Sequence, residues 1–279
     1  MEQNDNRLTK DAIRDHRFWN LSLKISDSAL DIALRSTVED NSLILRHVGF
    51  DRAAMSVPKA LEEAVYDNPL LLCDFGRVDV VVDCPRLTFA PAAVASDGDR
   101  LEKAASLLWP GDDTGKLIVN DIPRAQAALM MKLDSDIAGF IARTFNNPPV
   151  CHRLTPLCRY FSFQSRAVNN IKMFVNVSPD AVDIVAFSNN GLLLANTFRT
   201  TTVADALYYC LAVARSCGFD QLNDEMMLSG DRAVRDSLTP LLRQYVNYVM
   251  PLVFPSDIYR HGKEALAAPF ELIILPLCE

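Results

Sequence analysis

Apolar and polar residues alternate along residues 18–25 (FWNLSLKI) and again along 171–177 (IKMFVNV), the period-2 signature of half-buried strands. Each run leads into a near-copy of the same second strand, Ala29-Leu30-Asp31-Ile32-Ala33 in one case and Ala181-Val182-Asp183-Ile184-Val185 in the other. Each then turns into a third apolar strand. The first turn uses RSTVEDNS; the second uses Ser-Asn-Asn-Gly, where Asn190-Gly191 suits the positive φ angles of a tight hairpin. Beyond the hairpins, residues 57–85 lie over 203–231 without a gap. Val57, Ala60 and Leu61 fall on Val203, Ala206 and Leu207 at helical spacing, and Val80-Val81-Val82 falls on Met226-Met227-Leu228 as a short buried strand.

Each half therefore reads β-β-β-α-β. Three antiparallel strands followed by a helix that returns to a parallel strand open a ribonuclease H-like sheet. The helix starts support this register. Thr202 with Asp205 has the spacing of a capping box, and Ser56 with Pro58 marks the matching start in the first half. Around the repeat the pattern predicts a helix over 99–108, a strand over 116–120, helices across 122–145 and a helix over 153–166. After the second copy it predicts a helix over 232–245 and a strand over 249–254. The expected organisation is two ribonuclease H-like lobes, 1–168 with inserted helices and 169–279, facing a cleft.

A chain of 279 residues, 49% hydrophobic, is long enough for two cores. With 28 Lys+Arg against 35 Asp+Glu the net charge is −7, which argues against a nucleic-acid partner. Seven scattered cysteines form no CxxC pair; Cys151/Cys158 and Cys210/Cys217 are spaced as two turns of one helix, and the set fits reduced thiols in a cytosol. The N-terminus MEQNDNRLTKDAIRDHRF lacks the apolar core of a signal peptide, and no apolar run approaches the ~20 residues of a membrane span. These features lead us to expect a cytoplasmic protein with no membrane insertion.

Two such lobes in tandem resemble the actin-like ATPase superfamily, which includes sugar kinases, Hsp70 chaperones and the actin-like components of pilus and type II secretion platforms. LLLANTF, TTTVADALYYCLAVA and MMLSGD look more specifically like a bacterial domain-of-unknown-function family with that fold. Asn196, Phe198, Asp205, Tyr208, Tyr209 and Gly230 carry this resemblance, with LTFAPAAV and His152 as looser matches in the first half.

The resemblance implies a way to hold Mg-ATP: two hairpin turns, each after a first strand, in which an Asp and a Gly let backbone amides approach phosphates. Here those turns are Ile25-Ser26-Asp27-Ser28 and Val177-Ser178-Pro179-Asp180, without glycine, and Pro179 has no N–H to donate. The adenosine-side candidate Ser229-Gly230-Asp231 has one glycine. If nucleotide binds, Asp27, Ser28, Asp180, Ser229 and Gly230 are the residues to hold it. Asp27 and Asp180 read otherwise as turn formers. Asp31 and Asp183, in separate halves, read as solvated strand residues rather than a two-metal nuclease site.

Other motifs fall short of chemistry. GDDTGKL (111–117) has its glycines one residue too close for a P-loop, and Leu117 stands where Ser or Thr must reach the metal. The DFG at 74–76 lacks the other kinase signatures, and there is no GxSxG. His152 reads as a structural histidine. Asp205 reads as a helix cap, with one of Tyr208 and Tyr209 buried and the other at the edge; the functional alternative gives an exposed tyrosine to a partner surface. No catalytic or metal-ligating set is assembled. The expectation is a non-catalytic actin-like protein serving as adaptor or assembly platform for a protein partner, the alternative an ATPase or kinase with altered loops.

Overall fold

The computed structural model describes residues 8–111, 114–165, 170–254, 256–260, 262, 265 and 268–278. The expected lobe boundary at 168/169, part of the N-terminal segment, and Asp112 and Asp113 of the P-loop-like string lie outside the described residues.

The first half runs β1 (Trp19–Ile25), β2 (Ala29–Ser36), β3 (Ile44–Gly49), α1 (Val57–Tyr66) and β4 (Arg77–Val82). An insertion follows: β5 (Leu87–Pro91), α2 (Ala92–Ala95), α3 (Gly98–Leu108), β6 (Gly115–Ile122), β7 (Ala127–Asp134) and α4 (Ser135–Thr144). Then come β8 (Val150–His152) and α5 (Leu154–Gln164). The second half runs β9 (Lys172–Val177), β10 (Ala181–Ser188), β11 (Gly191–Arg199), α6 (Val203–Ser216), β12 (Glu225–Gly230), α7 (Arg232–Leu242) and β13 (Tyr248–Pro251), and the tail carries α8 (Ser256–Tyr259) and α9 (Phe270–Ile274).

Two five-stranded sheets have the same order, β3-β2-β1-β4-β8 and β11-β10-β9-β12-β13. In each, the first three strands are antiparallel and the fourth and fifth add in parallel beyond the first. This is the ribonuclease H-like order, present twice, as the repeat predicts.

The repeat also needs correction. Ile25 faces Val82 across β1 and β4, and its equivalent Val177 faces Gly230 across β9 and β12. Val80-Val81-Val82 therefore corresponds to Leu228-Ser229-Gly230, two residues beyond the ungapped register. In the second copy the helix is longer, 14 residues in α6 against 10 in α1, and the segment from helix to strand is shorter, 217–224 against 67–76, which leaves the two-residue difference. In the turn before β11, Gly191 takes φ +116 while Asn190 stays at negative φ. Ser56 precedes α1 without bonding through its side chain, so Pro58 alone marks that start.

Residues 127–134, expected as helix, form β7, the central strand of a three-stranded sheet β5-β7-β6. Ala, Leu, Met and Lys dominate this stretch and favour helix, but Ala128 to Met131 are buried on both faces, and packing overrides propensity. Gly115-Lys116-Leu117 pairs with Asp134, Leu133 and Lys132 at the start of β6, so the second half of the P-loop-like string is strand. Cys151 sits on β8 and Cys158 on α5, so this pair does not share a helix.

One core joins the halves. α5 lies between them, packing against β8 of the first sheet and against β10 and β11 of the second. Phe161 of α5 stacks on Phe174 of β9 with ring centroids 4.0 Å apart. The tail crosses back, bringing α9 against α5 and β1, with Phe270 stacked on Phe161. The opposite face of the second sheet is covered by α6 and α7 around Val175, Ile184, Cys210 and Leu238.

Candidate functional site

The C-terminal ends of the parallel strands and the two hairpin turns open onto a cavity of about 740 Å³ between the lobes. Both turns are built alike. The amide and hydroxyl of Ser26 donate to the Ala29 carbonyl (3.0 and 3.2 Å), and those of Ser178 donate to the Ala181 carbonyl (2.9 and 3.0 Å). Ser26 Oγ also accepts from the amides of Ser28 (3.3 Å) and Ala29 (3.0 Å). The first turn thus consumes amides that a phosphate loop would present outward, and in the second Pro179 has none to present.

Asp27 and Asp180, the two turn carboxylates, are not equivalent. Asp27 matches Pro179, and Asp180 matches Ser28. Asp27 instead receives Arg199 of β11 at 2.6 Å, an exposed ion pair between the two halves. Asp180 accepts from Ser178 Oγ at 3.2 Å. Ser229 is buried and donates to Asn176 Oδ1 at 3.1 Å. Gly230 has φ +92, and a Cβ there would stand 2.0 Å from the Val177 carbonyl oxygen. That close strand contact is sufficient reason for glycine. The cavity touches Ser28, Asp180 and Gly230, while Asp27 and Ser229 are not among its lining residues.

The cleft floor is an ion-pair network that sequence reasoning missed. Arg153, between β8 and α5, donates to Asp183 of β10 at 2.7 Å and to Asp83 after β4 at 3.2 Å, joining the two sheets. Asp183 is fully buried and also accepts from Thr197 Oγ1 (2.7 Å) and Asn176 Nδ2 (3.1 Å), so it is not the solvated strand residue expected. Its counterpart Asp31 keeps contact with solvent and pairs with His47 at 2.5 Å. Lys24 of β1 meets Glu271 of α9 at 2.5 Å, both nearly inaccessible. Burial opposes the charge on each of Lys24, Arg153 and Glu271, but the surrounding opposite charges outweigh it. Lys24 and Arg153 are shifted upward, and Glu271 is held at about 2. The signal was a lone charge inside an apolar run, Lys24 in LSLKI and Glu271 in FELII, since a buried charge requires a partner. The identity of the partner was not legible from separations of this length. Among the described residues the cavity is lined by three cations (Lys24, Arg153, Arg232) and five carboxylates (Asp31, Asp83, Asp180, Asp231, Glu271). No described group of three or more His, Cys, Asp or Glu is placed to hold a metal ion.

The other candidates resolve into structure. His152 is fully buried; its Nδ1 accepts from the Leu154 amide (3.1 Å), so Nε2 donates to the Cys84 carbonyl (3.1 Å). Burial lowers its pKa from 6.5 to about 4. The unfolded chain therefore binds the extra proton between these values, and stability is full above pH 6.5 and falls as pH drops toward 4. The expected loss is about 3 kcal/mol. Denaturant melts across that range should show it, and His152→Gln should flatten the slope.

Asp205 closes the capping box: its amide donates to Thr202 Oγ1 (3.2 Å), and its carboxylate accepts from the Thr202 amide (2.8 Å). Hydrogen bonds from Thr201 and Thr202 hold its pKa at about 2. Tyr209 is half-buried and stacked on Phe198 at 4.6 Å, while Tyr208 is exposed.

Two duplicated ribonuclease H-like sheets around an interlobe cleft define a protein of the actin-like ATPase fold. The chain belongs to the family described as protein of unknown function DUF3822, whose model matches residues 9–249. A Bacteroides thetaiotaomicron VPI-5482 protein with an actin-like ATPase fold and unknown function superimposes with a TM-score of 0.77 at 21% identity, over 96% of this chain and 100% of that one. A chain of the PilM-PilN type IV pilus biogenesis complex superimposes with a TM-score of 0.52 at 12% identity, over 96% and 100%. Both likenesses concern the fold. No curated protein matches the chain. Among the described residues, no helix is long and apolar enough to cross a membrane.

Proposed function

We propose that this protein is a non-catalytic member of the actin-like fold, a cytoplasmic adaptor or assembly scaffold with lobes of 1–168 and 169–279 and a protein partner. The observation that carries the proposal is the use of the turn amides. Ser26 Oγ occupies the amides of Ser28 and Ala29, and Pro179 removes one from the opposite turn. A polyphosphate would find few donors there and an excess of carboxylates around it. The similar PilM-PilN chain belongs to a protein assembly, which supports a partner-binding role by analogy of fold. Tyr208, exposed beside the Phe198–Tyr209 stack, offers an aromatic contact of the kind enriched in interfaces.

The second reading is an ATPase or kinase holding Mg-ATP through Asp27, Ser28, Asp180, Ser229 and Gly230 in altered loops, and the size of the cavity favours it. Thermal melting with Mg-ATP separates the two. A nucleotide at 100 times its Kd stabilises a fold by about 2.7 kcal/mol, which for a chain of this size is a rise of several degrees in Tm. We expect no rise. A rise abolished by Asp27→Ala and Asp180→Ala would replace the scaffold reading with the enzymatic one.

A further inference from the structure

We propose that the Glu271 carboxylate acts as a tethered internal ligand that clamps the two lobes at one angle. This rests on the reading of the cleft as a place that does not take nucleotide. The geometry is that of the repeat. Ile25 and Val177 are equivalent ends of β1 and β9, so Lys24 and Asn176, one residue earlier, occupy matching positions in the two lobes. Glu271 lies between them. Lys24 Nζ meets its Oε1 at 2.5 Å, and Asn176 Nδ2 donates to its Oε2 at 3.5 Å, so one oxygen faces each lobe. All three residues are buried.

The segment carrying this carboxylate is anchored independently of it. Phe270 packs against Phe161, Tyr160 and Phe254, Leu272 to Ile274 are buried, and Cys278 Sγ donates to the Pro156 carbonyl at 3.3 Å. These contacts fix the backbone on α5, and the side chain alone extends to the strand ends. A segment needed only to complete the core would use an apolar residue here, because burying an ion pair gains little over well-packed hydrophobic groups. The charge instead gives direction, since it ties Lys24 of one lobe to a segment that follows the other.

Hydrogen exchange tests the clamp in the full chain. In Glu271→Gln, peptides spanning 24–29 and 176–181 should exchange about tenfold faster or more, while peptides of α6 and β5 keep their wild-type rates. If Glu271→Gln leaves Lys24 too costly to bury and does not fold, Lys24→Ala/Glu271→Ala removes both charges and the contact between the two side chains, and should show the same local acceleration. Unchanged exchange at the turns in a folded variant, or equal acceleration throughout the chain, would overturn the clamp. A parallel sample with Mg-ATP keeps the two readings distinguishable. Nucleotide that slows the turns of Glu271→Gln again would contradict the nucleotide-free reading of the cleft and leave the clamp standing.

Discussion

Arg153→Ala is expected to lower the unfolding free energy by about 3–5 kcal/mol, the range for removing one partner of a buried ion pair. Arg153 is itself buried, and its loss strands the fully buried Asp183 and cuts the tie to Asp83 in the other sheet. Thr197 and Asn176 still donate to Asp183, so its oxygens remain hydrogen-bonded while the charge becomes uncompensated. Urea melts should show a lower midpoint with an unchanged slope, the mark of lost stability rather than an altered unfolded state. Asp183→Asn in the same background should recover part of the loss, because the neutral amide no longer requires a cation. A loss below about 1 kcal/mol would mean that water replaces the guanidinium, and the network would not be structural.

Gly230→Val should be as damaging through backbone geometry alone. A Cβ at position 230 meets the Val177 carbonyl oxygen at 2.0 Å and the Val177 nitrogen at 2.7 Å, neither of which can move without parting β9 from β12. The φ of +92 adds strain that a β-branched residue cannot relieve. We expect a loss above about 3 kcal/mol, or no soluble protein, read by the same melts. Gly218→Ala is the control. Gly218 also has positive φ (+71), at the end of α6, but nothing lies within 4 Å of its Cβ position. Its cost should stay at about 1–2 kcal/mol, the conformational part alone.

The architecture was legible because duplication prints itself as pattern. ALDIA and AVDIV lie on equivalent strands, and the Ser26 and Ser178 turns share their hydrogen bonds as well as their place. Local chemistry was legible where both partners are close in sequence, as in the Thr202–Asp205 box. What escaped depended on long-range packing. β7 reads as helix until β5 and β6 pair with its two edges and helices such as α2 and α4 pack on it. The register beyond the crossover helices is displaced by two residues because helix length is not marked by any motif. The cleft network is the clearest case. Arg153 pairs with residues 70 and 30 positions before and after it, and Lys24 pairs near the opposite end of the chain, so only the folded topology brings them together. Asp27, Ser28 and Asp180 are turn positions, and Ser229 and Gly230 end β12. Their hydrogen bonds are local to the turns for Ser28 and Asp180, run to Arg199 for Asp27, and tie β12 to β9 for Ser229.

Many of the groups that face the cleft have partners within the chain. The Ser26 hydroxyl accepts from the amides of its own turn, and a tail carboxylate answers the lysine on β1. Equilibrium dialysis of the intact chain against labelled ATP with excess magnesium tests this account most directly. It predicts no saturable uptake at any nucleotide concentration up to the millimolar range of cellular ATP. Uptake of one equivalent, lost in Asp27→Ala and Asp180→Ala, would contradict it.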